Sequence, residues 1–274
     1  MGGVFERRRR RAARLFSAPA SAALTLFTAA NASPWGREEG GLFLSSRASY
    51  FRAEATGPAA IGAAPEKYER YDSDTYLEYG LSASTMIGAK VVYGTSTYFD
   101  GYASATGSGF SEIEGFIQRT LWRGENEVLS LKLAGAAPSG FEAGPRPDLQ
   151  RDGADLELRA LYGRNLLITP FKLYATAEAG YRRRFGDSAD QLRADFALGA
   201  EPAKNALLLC EVYATKSLRN EDPGGADYDV LKIQPSLIWR AGRRWSLQAG
   251  VTHEAAGRNL LLGDTYFISL WTTF

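Results

Sequence analysis

With 274 residues, a formal net charge of +1, one cysteine and one histidine, the chain is long enough for two soluble domains or one large all-β domain. The lone Cys210 excludes an intrachain disulfide, and a single histidine far from it in sequence leaves no His/Cys cluster to hold a metal. Beyond the N-terminal region no window supplies the roughly 18 consecutive apolar residues of a membrane helix, yet 45% hydrophobic and 12% aromatic content is more than a disordered chain carries.

Arg7 to Arg11 and Arg14 form a basic run, Leu15 to Ala30 a weakly apolar stretch, and Ala30-Asn31-Ala32 a small-x-small pattern. Together they predict a cleavable secretory signal over residues 1–32 and a mature chain over 33–274. A disordered basic tail or nucleic-acid arm also fits an arginine run, but needs neither the apolar stretch nor the Ala-x-Ala. Removing six arginines and Glu6 from 32 basic and 31 acidic side chains leaves 26 and 30, a net charge of −4. The slight basicity therefore belongs to the export signal, and no nucleic-acid partner is expected.

The mature sequence alternates. Ile87, Ala89, Val91 and Tyr93 fall on one parity and Gly88, Lys90 and Val92 on the other; Phe171, Leu173, Ala175, Ala177 and Ala179 oppose Lys172, Tyr174, Thr176 and Glu178 in the same way. Period two with one apolar face predicts strands, here twelve: 41–53, 68–80, 85–97, 109–122, 126–136, 152–164, 168–182, 189–201, 206–217, 227–240, 244–255 and 264–274. Even-numbered connections are tight. Most odd ones are longer and hold the turn chemistry of Gly57-Pro58, Gly107-Ser108-Gly109, Pro138 to Pro147 and Asp222-Pro223-Gly224-Gly225. A transmembrane barrel with periplasmic turns and extracellular loops alternates in this way. The expected fold is all-β: a closed, antiparallel, up-and-down transmembrane β-barrel of twelve strands, with ten or fourteen fitting the same pattern. Leu207-Leu208-Leu209-Cys210 is apolar on both parities and leaves its facing open.

The chain ends Tyr266-Phe267-Ile268-Ser269-Leu270-Trp271-Thr272-Thr273-Phe274, with Tyr266, Ile268, Leu270 and Phe274 on one parity. This resembles the C-terminal assembly signal of bacterial outer-membrane proteins, with Thr272 a departure in the apolar row. The resemblance implies insertion by the barrel-assembly machinery into a Gram-negative outer membrane, with lipid and lipopolysaccharide as surroundings. Pro34-Trp35-Gly36-Arg37-Glu38-Glu39-Gly40-Gly41 is similar to the opening of XagA-type outer-membrane proteins, which implies a link to exopolysaccharide loci and a glycan or small solute as cargo.

With the apolar parity on lipid, the lumen receives Asp72, Asp74, Glu78, Glu112, Glu114, Asp155, Glu157, Glu178, Asp195, Glu211 and Glu254 together with Lys90, Lys132, Arg159, Lys172, Arg182, Arg193 and Lys232. Gln118, Tyr174 and Gln234 share that parity, and Phe116, Tyr174 and Trp271 offer ring faces to sugars. These side chains line a water-filled pore for small polar solutes or glycan, or else pair and fill a closed barrel that works through its extracellular loops, as an adhesive, structural or export-accessory component. No cofactor is expected. Gly250-Val251-Thr252-His253 resembles the approach to the catalytic histidine of the outer-membrane phospholipase, but Ala255 stands where that family has its serine, so no hydrolase is expected. Arg182-Arg183-Arg184 reads either as a solvated charge run or as a contact for lipopolysaccharide phosphates.

Overall fold

The computed structural model describes residues 33–55, 65–138, 153–186, 188–219 and 227–274. The predicted signal segment and the loop stretches at Gly57-Pro58, 139–152 and Asp222-Pro223-Gly224-Gly225 lie outside the described residues.

Twelve strands run in chain order: β1 (Leu42–Glu54), β2 (Lys67–Ser82), β3 (Thr85–Phe99), β4 (Ser104–Arg123), β5 (Glu127–Ala136), β6 (Asp155–Leu167), β7 (Lys172–Arg184), β8 (Gln191–Ala203), β9 (Ala206–Ser217), β10 (Asp229–Arg240), β11 (Trp245–Arg258) and β12 (Gly263–Thr273). Each pairs with its sequence neighbours, and β1 pairs antiparallel with β12 to close the barrel. Phe274 sits at the seam, its N–H donating to Leu42 at 2.9 Å and its carbonyl accepting from Leu42 at 3.1 Å. The shortest strand has 10 residues and the longest 20, against the about nine to eleven that cross a bilayer when tilted.

Most strand limits lie within about three residues of the sequence reading, and two lie further off. Gly107-Ser108-Gly109 is not a loop: it lies inside β4, paired with Ser96, Thr95 and Gly94 of β3. The connection shrinks to residues 100–103, where the Asp100 carboxylate accepts from the N–H of Tyr102 and of Ala103. One turn-forming aspartate thus suffices, and the Ser/Thr-rich flanks pair across the glycines. β7 begins at Lys172 rather than 168, because Pro170 has no N–H to offer β6.

Side chains alternate across the wall. On β5, Leu129, Leu131 and Leu133 face outward and exposed while Val128, Ser130, Lys132 and Ala134 are buried inside. On β9 the structure resolves the ambiguous run: Leu207 and Leu209 point in, Leu208 and Cys210 out. Aromatic pairs Tyr50–Tyr71 and Tyr93–Phe110 stand outside toward the loop end, and exposed Trp122, Trp239 and Trp245 ring the turn end. Aromatic girdles of this kind flank the apolar band of transmembrane barrels, in which a bare strand edge finds no hydrogen-bond partner and the sheet must close. Inside, the turn end holds an apolar cluster of Phe43, Tyr76, Met86, Phe116, Leu161, Tyr174, Leu207, Ile238 and Trp271. Polar and charged side chains occupy the remainder.

Candidate functional site

The mid-lumen is an ion-pair lattice built from the inward parity of β4, β6, β7 and β8. Arg159 donates to Glu157 at 2.6 Å, to Glu178 at 3.0 Å and to Asp195. Arg182 donates to Glu157 at 2.6 Å and, passing over β5 and β6, to Glu114 on β4 at 2.8 Å, with Asp155 at 3.5 Å. Arg193 reaches Glu157 at 3.3 Å. Arginine suits this position because its planar fork serves several carboxylates at once, which a buried charge needs. Lys90 pairs with Glu112 at 3.1 Å and Asp74 at 3.8 Å, Lys232 with Glu254 at 2.8 Å, and Lys172 with Glu201 at 3.7 Å. Gln234 forms a node: its amide donates to Glu211 and Tyr213, and its carbonyl accepts from Thr252 and Arg47. Lys132 stands 5.0 Å over the Phe116 ring.

Water access divides the lumen. Side chains of Lys90, Arg193 and Lys232 keep 26%, 23% and 37% of their surface. Glu78 and Gln118, toward the turn end, keep 0% and 1%. Water thus reaches this set of charges, a vestibule within the lumen, while the wall at Glu78 and Gln118 is closed off; Lys172, on the turn-end rim, keeps 32% and stands outside that seal.

Residues 33–41 make the seal. Leaving β1 at Leu42, this strap crosses the mouth from the β1–β2 side to the β4–β7 side. Gln118 Nε2 donates to the Ser33 carbonyl at 2.7 Å, Ser130 Oγ to that of Pro34 at 2.6 Å, and Arg123 Nη2 to that of Trp35 at 2.7 Å. The Trp35 ring meets Tyr174 edge-on at 5.8 Å and lies where a Cβ on Gly163 would be 2.8 Å away. Arg37 bonds to the buried Glu78 and stands 4.3 Å over Phe43. Ser33 keeps 2% exposure. The strap is the Pro34–Gly41 stretch that precedes the first strand. Its role in the mouth was missed, although Pro34-Trp35 in a polar lead and Gly163 inside a strand are the traces it leaves.

The solved structures similar to this chain share its barrel. The COG4313 outer membrane channel from Pseudomonas putida F1 matches at 15% identity and a TM-score of 0.65, covering 88% of this chain and 98% of its own. The NanC porin matches at 7% identity and 0.57, covering 84% and 98%. The translocator domain of autotransporter NalP from Neisseria meningitidis matches at 13% identity and 0.52, covering 88% and 91%. No family model and no curated protein matches the sequence. The chain has the fold of outer-membrane β-barrels. In barrels of this fold the short turns lie on the periplasmic side; here the short turns, the strap and Phe274 share one end.

Within this barrel, Glu78, Lys90, Glu112, Glu114, Gln118, Lys132, Asp155, Glu157, Arg159, Lys172, Tyr174, Glu178, Arg193, Lys232 and Gln234 all point inward. Glu78, Gln118 and Tyr174 belong to the sealed mouth, Lys172 to its turn-end rim beside Glu201, and the rest to the lattice and vestibule. Tyr266, Ile268, Leu270 and Phe274 are exposed on the outside. The arginine triplet is no continuous surface patch: Arg182 and Arg184 turn inward to Asp155, and only Arg183 faces out, paired with Asp190 at 2.7 Å. His253 is exposed on the exterior, 2.7 Å from Asp264. Among the described residues no group of acidic, His and Cys side chains forms a metal site.

Proposed function

We propose that the barrel passes small polar solutes across the outer membrane through its lumen, and that the strap holds its periplasmic mouth closed in this conformation. The observation that carries the reading is the water-reached vestibule, whose wall presents both signs of charge at Asp74, Lys90, Arg193, Asp195 and Lys232. Opposed charges at close quarters favour dipolar and zwitterionic solutes over bare ions. The similar structures described as a channel and a porin support a transport role, and the XagA-like opening makes a glycan one solute to try. Outer-membrane lipid and lipopolysaccharide are the partners of the belt, and the barrel-assembly machinery is the reader of the terminal strand. No catalytic role is proposed, since His253 lies outside the lumen and Ala255 is no nucleophile.

A second reading, a closed barrel working through its loops, is favoured by one observation: the arginine lattice ties β4 to β6, β7 and β8 across the lumen while the strap crosses the mouth. Planar-bilayer recording on the refolded mature chain decides between them. Stepwise currents support the channel; silence under every voltage from a barrel shown folded by heat-modifiable migration supports the closed reading.

A further inference from the structure

We propose that the periplasmic mouth is a peptide-binding site whose resident ligand is the chain's own segment Ser33–Arg37, seated as a displaceable plug and not as part of the wall. The manner of holding carries the inference. Three wall donors, from Gln118, Ser130 and Arg123, take three successive main-chain carbonyls, those of Ser33, Pro34 and Trp35. Ser33–Gly36 is a turn closed by the Gly36 N–H donating to the Ser33 carbonyl at 3.1 Å, and wall donors that take its main-chain carbonyls hold it irrespective of its side chains, the side chains adding specificity. Two pockets then read sequence. One is the flat floor at Gly163, against which Trp35 lies with its edge contact to Tyr174; the other is Glu78 beneath Phe43, which takes Arg37.

The strap is also built to leave. Among the described residues its main chain bonds to that of the wall at Gly40, Gly41 and the Leu42 seam only, through Gly80 and Phe274. Its turns fall at Gly36 and Gly40, with φ of +68° and +77°, a left-handed conformation that costs glycine little. Four buried polar atoms around the seat, Arg37 Nη2, Gln118 Oε1, Tyr174 Oη and Trp271 Nε1, have no protein partner. Buried unpaired groups are costly, and water entering after withdrawal would satisfy them, so the seated state is less favoured than its contacts alone imply.

Limited trypsin digestion of the full refolded chain reads occupancy directly, because Arg37 is cut only when the strap is out. The probe is a synthetic Ser-Pro-Trp-Gly-Arg peptide, with Ser-Pro-Ala-Gly-Ala as control. Millimolar probe should raise cleavage after Arg37 at least ~10-fold by holding the vacated seat, the control leaving it unchanged, and Gly163→Leu should do the same without peptide. Equal cleavage with probe, control and neither overturns the proposal even where Gly163→Leu fails to fold. The conductive consequence rests on the channel reading, and the two fail separately. Release without current leaves the peptide site standing and removes the channel; current through the wild type with Arg37 still protected keeps the channel and overturns the plug.

Discussion

At Arg159 a single guanidinium holds together acids from β6, β7 and β8. Their mutual repulsion and desolvation are tolerable only while that charge is present. Arg159→Leu is therefore expected to destabilise the barrel by about 3–5 kcal/mol, read from urea unfolding in lipid vesicles, since removing one partner leaves buried charge uncompensated. Arg183→Ala, at a solvent-facing ion pair, should leave the urea midpoint unchanged. An unchanged midpoint for Arg159→Leu would mean that water enters the lattice freely. Cys210, on the lipid side of β9, supplies a facing test. A charged thiol reagent should fail to label it in vesicles and should label it fully in urea, because hydrocarbon excludes a charged reagent. Inward parity at individual residues was legible from alternation alone; which inward charges meet was not, because partners such as Arg182 and Glu114 stand 68 residues apart.

On β5, alternation left no choice: three leucines on one parity and Ser130, Lys132 and Ala134 on the other allow only one face to meet lipid. Leu131→Arg, near the centre of that strand, should cost about 2–4 kcal/mol in vesicle unfolding, the depth-dependent penalty for a cation on the lipid face. Strand ends were harder to read. Glycines over 107–109 look like a loop in sequence, yet pair inside β4 because the opposing Gly94–Ser96 segment supplies the ladder. The terminal strand joins both sides of the problem, since β12 must pair with β11 and with β1 at once. Deleting Phe274 removes both hydrogen bonds to Leu42 and the last apolar anchor of that strand. The expected result is a lower heat-modifiable fraction on refolding, with little change in the barrels that do close.

For the whole molecule, the consequence of closure is a lumen with two unlike halves, a charged vestibule and a sealed mouth. A channel with this plan should conduct only in the fraction of time its periplasmic end is vacant, so Glu78→Gln, which weakens the seat of Arg37, should raise open probability in bilayer recordings. An unaltered record would mean that the wall aromatics close the mouth without the strap. The sequential antiparallel barrel, the outward face of every strand but β9 and the export signal as an expectation follow from sequence, because period-two hydrophobicity and turn spacing are local and hydrocarbon admits no open edge; closure at twelve, where ten or fourteen fitted the same pattern, came from the structure. Only the tertiary structure decided what fills the lumen. The strap's seat is assembled from Glu78, Gln118, Ser130, Gly163 and Tyr174 on five different strands, and no local pattern records that these meet around Trp35 and Arg37.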